Sequence, residues 1–161
     1  MINFLTRLFG RGDPVLSEAK PRDAAAMAAL HAASFRRGWS DGEFERLLTD
    51  RAVVAHRAMR GRALVGFIIS RMAAGEAEIL SVAVAVSASG RGLGGAMLNL
   101  HLRRLAGLGT RAVFLEVGEN NIPACRLYMS AGFHEVARRQ GYYRNAAEQG
   151  STALVLRRDL A

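Results

Sequence analysis

This chain has little cysteine, almost no lysine and no long apolar run. Cys125 is the one cysteine among 161 residues. That excludes an internal disulfide framework and a cysteine-rich zinc site. The longest stretches free of charged residues, 24–35 and 79–90, run 12 residues each, well short of the ~20 that a membrane-crossing helix needs. Arg7 and Arg11 interrupt the only segment placed to act as a secretory signal. A cytoplasmic protein with no membrane partner is expected. Lys20 is the one lysine among 22 basic residues, which with 14 acidic residues leave a formal charge of +8. The arginines are scattered, and no basic stripe interleaved with aromatics offers a stacking surface for bases. No stable nucleic acid binding is expected. A phosphorylated cofactor remains a partner that such charge attracts.

The length fits a single domain over 13–161, preceded by a short arm at 1–12 on which Ile2, Leu5, Leu8 and Phe9 share a helical face. Val15 to Ala19 reads as a strand. A helix follows from Pro21 to about Arg37, with Met27, Leu30 and Ser34 on one side. Ser40 and Glu43 form a capping box that opens a short helix carrying Phe44, Leu47 and Leu48 inward. Ala52 to His56 and Ala63 to Arg71 form a hairpin about Arg60-Gly61-Arg62. Glu78 to Val86 is a third apolar run. It enters a Gly/Ser-rich turn and a helix to about Gly107 on which Leu93, Met97 and Leu100 face one way. Ala112 to Val117 is a strand, Asn121 caps a helix ending at Ala131-Gly132, and 133–143 pairs with 151–158. The order βααβββαβαββ implies a mixed, mostly antiparallel sheet of about seven strands with helices on both faces and parallel pairing in the second half.

Two constellations carry chemistry. In Ser89-Gly90-Arg91-Gly92-Leu93-Gly94-Gly95, glycines between a buried strand and a helix let backbone amides approach an anion such as a pyrophosphate. The spacing is neither a P-loop nor a dinucleotide fingerprint, and the same pattern serves as a plain tight turn. The second is Glu116 near a strand end with Tyr128 in the following helix. A carboxylate and a phenol can face one cleft as base and acid. By themselves they also read as a surface charge and a core ring. The four histidines at 31, 56, 101 and 134 have no ligand spacing and no metal is expected. Cys125 reads as a small packing residue. Arg103-Arg104, Arg138-Arg139 and Arg157-Arg158 read as solvated faces.

Taken together these segments resemble the GNAT superfamily of N-acetyltransferases, and within it the RimI-like ribosomal protein alanine N-acetyltransferases. The resemblance lies in Glu78-Ile-Leu-Ser-Val-Ala-Val84, Arg91-Gly-Leu-Gly-Gly-Ala-Met-Leu98, Phe114-Leu-Glu-Val117, Asn121-Ile-Pro-Ala124, Leu127-Tyr-Met-Ser-Ala-Gly-Phe133, Gly141-Tyr-Tyr143 and Ala153-Leu-Val-Leu156. It spans roughly 15–160. Tyr142-Tyr143 and Trp39-Ser40 point to the RimI-like branch.

The resemblance implies the GNAT fold, with a splayed parallel pair at the centre of the sheet, and acetyl-CoA as cofactor. Leu80, Val82, Ala83 and Val84 would lie on a bulged strand that lends backbone groups to the pantetheine arm and the acetyl carbonyl. Ser89, Gly90, Arg91, Gly92, Leu93, Gly94 and Gly95 would hold the pyrophosphate. Asn121 and Ala124 would lie against the cofactor arm. Glu116 would be the general base, and Tyr128 the general acid beside the cofactor. Trp39, Tyr142 and Tyr143 would join Glu116 in lining the acceptor groove. The chain departs from the family at Ser89, Val86 and Gly38, where Gln or Arg, Pro and Pro are usual.

The expected function is acetyl transfer to a protein N-terminus, an alanine of a small-subunit ribosomal protein, by a monomer or weak dimer. The rivals are a small-molecule amine acetyltransferase and a non-catalytic CoA-binding or RNA-associated module. The chain's positive charge sits poorly with a basic acceptor unless acidic groups such as Glu43, Glu45, Glu76 and Glu119 line the groove.

Overall fold

A computed structural model describes residues 12–141 and 151–160. Apart from Gly12, the N-terminal arm lies outside the described residues, as do Tyr142 and Tyr143. Apolar alternation and β-branched residues produce strands β1 (Val15–Glu18), β2 (Val53–Arg60), β3 (Ala63–Ala73), β4 (Glu76–Val84), β5 (Ala112–Gly118), β6 (His134–Arg139) and β7 (Ala153–Asp159). Helices α1 (Ala24–Ser34) and α2 (Asp41–Thr49) follow β1, α3 (Leu93–Gly107) follows β4, and α4 (Ile122–Ser130) follows β5. The seven strands form one sheet in the order β1-β2-β3-β4-β5-β7-β6. Every pairing is antiparallel except β4 with β5. The expected mixed sheet with helices on both faces is the observed one.

Strand alternation divides the core in two. On one face α3 and α4 cover Val54, Ile68, Ile79, Val113 and Leu115. On the other, α1 and α2 cover Ala55, Phe67, Ile69 and Ala83. The stripe of α1 that turns inward is Ala24, Met27, Ala28 and His31, at i, i+3, i+4 and i+7. Ser34 is exposed instead of inward, because α1 stops there: Phe35 is extended and Arg36 and Arg37 lie beyond the helix. The Ser40–Glu43 capping box forms as read, with the Glu43 N–H donating to Ser40 Oγ at 3.2 Å and the Ser40 N–H to Glu43 Oε2 at 2.6 Å. A cap of this kind contributes about 1 kcal/mol. On α3 the buried set is Leu93, Met97, Leu98, His101, Leu102 and Leu105, while Leu100 is half-buried.

Strand limits shift from the sequence reading by one or two residues in β1, β3, β5 and β7, and further elsewhere. β2 runs past His56 to Arg60, because it is held from both sides by β1 and β3. β4 starts at Glu76 and ends at Val84; Val86 is 92% exposed in a single 3-10 turn over Val86–Ala88. β6 ends at Arg139.

Candidate active site

Two irregularities open the sheet at its centre. The parallel ladder between β4 and β5 holds only for Glu76 with Ala112, Ala77 with Val113 and Glu78 with Phe114. Beyond that point the strands part. In the same stretch β4 bulges: Ile69 pairs with Ser81 and Ser70 with Ile79, so Leu80 is the extra residue. A bulge re-aims the strand and leaves a peptide group out of the ladder with β3. The expected bulge within 79–84 is therefore present, at Leu80.

The faces of the gap follow from alternation. On β5, Val113, Leu115 and Val117 turn to the α3–α4 side, so Glu116 turns to the α1–α2 side. Leu80 and Ala83 pack on that side too, while Val82 and Val84 pack on the other. Glu116 thus lies across the gap from the bulge and shares a face with it. Its side chain is about one-quarter exposed, and Arg139 of β6 approaches its Oε1 at 3.3 Å. Ser81, paired with Ile69, is on this same face, and its buried hydroxyl has no partner among the described residues. Arg139, read from the sequence as part of a solvated face, thus meets Glu116, and no pattern in the sequence marks Ser81.

On the opposite side of the gap lie α4 and the start of α3. Tyr128 is buried, 5.7 Å from Phe133 in an edge-on contact. Burial, and secondarily Cys125 nearby, push its phenol up to about 12, so it holds its proton at neutral pH. Asn121 caps α4, its Oδ1 accepting from the Ala124 N–H at 3.3 Å. That occupies its carbonyl and leaves its amide nitrogen without a partner among the described residues. Cys125 Sγ lies 3.7 Å from the Gly118 carbonyl oxygen, and burial raises its pKa, so it stays a thiol.

The glycine-rich turn forms the remaining wall. Gly90 (φ +75°) and Gly92 (φ +81°) adopt the left-handed backbone, and a Cβ at either would meet nothing within 4 Å. Conformation demands these glycines, and the space before them is open. No side chain caps α3 and its first turn has no acidic residue, so the first-turn amides point outward unmet. Ser89 turns its hydroxyl back to the Val86 carbonyl at 2.8 Å. Gly94 serves packing: a Cβ there would lie 3.5 Å from Leu127 of α4. Arg91 is exposed and Leu93 buried. Open glycine amides, a bulge and a dry phenol fit a long anionic thioester cofactor whose phosphates sit at the helix start.

Trp39 lies in the α1–α2 connector, half-buried. It lines two cavities. One, of about 380 Å³, adds Glu43, Arg46, Leu47, Asp50 and Arg71. The other, of about 590 Å³, adds Ala32, Arg37, Gly38, Ser40 and Glu43.

Arg103 and Arg104 are exposed, as read, while the other two pairs also make contacts. Arg138 bonds Glu135 and reaches Glu119 at 3.4 Å. Arg158 donates to the Ala131 carbonyl at 2.6 Å, and Arg157 lies over Phe114, 5.0 Å from its centroid. Two of the four candidate acidic groups are likewise engaged, Glu43 in its cap and Glu119 with Arg138. Among the described residues no group of three or more His, Cys, Asp or Glu is placed to hold a metal, and no helix is long and apolar enough to cross a membrane.

Residues 24–133 match the acetyltransferase (GNAT) family, so the chain belongs to that family. It is an N-acetyltransferase, with acetyl-CoA as its acetyl donor. It is 34% identical over 154 residues to the N-alpha-acetyltransferase RimI of Mycobacterium tuberculosis, covering 91% of this chain and 94% of that one. It is 30% identical over 105 residues to the [ribosomal protein bS18]-alanine N-acetyltransferase of Escherichia coli, covering 65% of this chain and 70% of that one. The crystal structure of the ribosomal-protein-S18-alanine N-acetyltransferase from Escherichia coli superposes with a TM-score of 0.84 at 23% identity, over 92% of this chain and 94% of that one.

Proposed function

We propose that this enzyme acetylates the α-amino group of a protein N-terminus, and that its acceptor is an N-terminal alanine of a small-subunit ribosomal protein. The observation that carries the reading is the position of Glu116. Its carboxylate faces the α1–α2 side of the central gap, across from the Leu80 bulge, while Tyr128 lies on the cofactor side. The names of the two sequence relatives supply the acceptor class.

Acetyl-CoA, when bound, presents the acetyl group as an activated thioester. The amides of Gly90 to Gly95 hold its pyrophosphate. The freed peptide group at Leu80 orients the acetyl carbonyl, and Val82, Val84, Ala124 and the Asn121 amide line the pantetheine arm. Trp39 borders the acceptor, and the family resemblance assigns Tyr142 and Tyr143, outside the described residues, to the same groove. Glu116 takes a proton from the acceptor ammonium through a water molecule, because only the neutral amine has a lone pair for attack. As the new C–N bond forms and the C–S bond breaks, Tyr128 would give its proton to the departing sulfur, and the second proton shed by the acceptor nitrogen would return the phenolate to a phenol. A phenol with a pKa of about 12 is protonated at every working pH, so it enters each turnover as an acid. Arg139 beside Glu116 keeps the carboxylate oriented until the acceptor ammonium arrives.

The test is mass spectrometry of acetyl-CoA reactions with peptides copied from the organism's own ribosomal protein N-termini, a panel of small amines, and a peptide whose N-terminal alanine is replaced by proline. Acetyl on the alanine amine of one peptide is the expected result. Transfer to small amines with none to any peptide keeps the chemistry and removes the protein acceptor. No transfer with CoA still bound removes catalysis.

A further inference from the structure

One buried side chain that the mechanism does not use holds the acceptor-side wall in place. His31, on α1, is 4% exposed. Its ring stacks on Phe35 at 4.4 Å and on Trp39 at 4.6 Å, and it meets Phe44 of α2 edge-on at 5.6 Å. Its Nδ1 accepts the Trp39 N–H at 3.0 Å. One imidazole therefore touches both ends of the connector between α1 and α2 and the helix that follows. The connector also lies tight against α1, since a Cβ on Gly38 would come within 3.1 Å of Ala32. Trp39 and Glu43, which line both cavities on this side, are placed by this arrangement.

We infer that His31 is a positioning residue: its neutral imidazole fixes the Trp39 segment of the acceptor wall, and protonation of the ring releases it. The inference rests on the reading that Trp39 borders the acceptor. The chemistry is direct. The Nδ1 lone pair is the acceptor for the Trp39 amide, so the neutral ring carries its proton on Nε2. An imidazolium has a donor at both nitrogens and turns the contact into two opposed N–H groups. The charged groups carried by the surrounding elements are Asp41, Glu43, Glu45 and Arg46 of α2, Arg36 and Arg37 of the connector, Arg71 of β3 and Glu76 and Glu78 of β4, and of these Glu43 acts on the ring. Burial lowers the ring's pKa, against the opposing pull of Glu43, so the wall is fixed at neutral pH and loosened on acidification.

Trp39 is the only tryptophan in the chain, so its fluorescence reports the connector with no reference to any acceptor. The experiment titrates that emission between about pH 7.5 and 5 in the wild type, His31→Asn and His31→Leu, with far-UV circular dichroism confirming the fold at each point. Asn offers an oxygen near the place of Nδ1 and does not titrate. The wild type is expected to show a transition below the ordinary imidazole value, and His31→Asn none. Acrylamide quenching of Trp39 at neutral pH should be unchanged in His31→Asn and clearly greater in His31→Leu. Once the acceptor is identified, its KM should rise about tenfold in His31→Leu, the equivalent of one lost hydrogen bond. His31→Asn should restore it, and acetyl-CoA affinity should not move in either.

A pH-independent Trp39 emission in the folded wild type, or the same transition in His31→Asn, overturns the inference. So does an acceptor KM that His31→Leu leaves alone. Should His31→Leu fail to fold, the wild type against His31→Asn still decides. A failure of the acceptor assignment appears separately, as absent transfer with the fluorescence transition intact.

Discussion

At the scale of single residues, the tasks proposed for Glu116 and Tyr128 are separable, and the difference is measurable. Glu116→Gln keeps size and hydrogen-bonding capacity but removes the base. It should lower kcat by about 10²- to 10⁴-fold, the usual worth of positioned proton transfer, while acetyl-CoA affinity measured by calorimetry stays within about twofold. Equal loss of both would make Glu116 a structural residue. Tyr128→Phe keeps the ring packed edge-on against Phe133 and removes only the proton, so the melting temperature should hold while kcat falls by a similar factor. An unchanged kcat in this variant would dismiss the phenol as the acid. Neither outcome depends on which amine is the acceptor. These two residues were legible in the sequence only through the company they keep. A strand-end carboxylate and a phenol twelve residues on mean little until a glycine turn suited to a phosphorylated cofactor is read beside them. Arg139, which meets Glu116 from β6, was not legible. It lies 23 residues downstream and reaches Glu116 only because β7 intervenes between β5 and β6 in the sheet.

At the scale of elements, the start of α3 is the part of the site whose sequence and geometry agree most closely. Gly92 sits in the left-handed region with open space where a Cβ would go, so a side chain there has two effects. Gly92→Val carries the conformational penalty of about 1–2 kcal/mol for a non-glycine in that region, and it pushes a branched group toward the first-turn amides. Acetyl-CoA affinity should fall by more than tenfold while acceptor KM at saturating acetyl-CoA stays near wild type; an unaltered acetyl-CoA Kd would place the phosphates elsewhere. Element identity was readable throughout because amphipathic periods, caps and turns are local. The limits that shifted were those set by distant partners. β2 extends to Arg60 because two strands hold it, and α1 stops at Ser34 because Phe35 leaves the helix to stack on His31. Alternation alone likewise does not place the bulge at Leu80; a register mismatch against β3 does.

At the scale of the whole molecule, three buried histidines stand where helices meet the sheet. His31 ties α1 and α2 to it, and His56 Nδ1 meets His101 Nδ1 at 2.8 Å, with His101 Nε2 at 2.7 Å from Ser70 Oγ. Burial lowers all three, His101 to about 3. A histidine whose folded pKa lies below its unfolded value stabilises the fold fully above the unfolded value near 6.5, and that stability drains as pH falls toward the folded value. A group whose folded value lies well below this window, as that of His101 does, adds a slope of up to about 1.4 kcal/mol per pH unit in it. The urea midpoint should therefore be flat above about pH 7 and fall steeply between about 6.5 and 5, and His101→Leu, though less stable at neutral pH, should show a shallower fall. A midpoint that holds level through that window would mean these rings are not neutral in the fold.

The net charge acts at the same scale. The formal charge of +8 attracts an anionic cofactor and repels a basic acceptor peptide, and Glu116 and Glu119 are already paired to Arg139 and Arg138, which weakens the acid available to offset the repulsion. Raising salt from about 0.05 to 0.3 M shortens the Debye length about twofold. It should weaken acetyl-CoA binding and lower KM for a basic peptide, two shifts of opposite sign in one titration. Were both constants to rise together, the acceptor would be meeting an acidic surface, and the acid would have to come from residues other than those pairs.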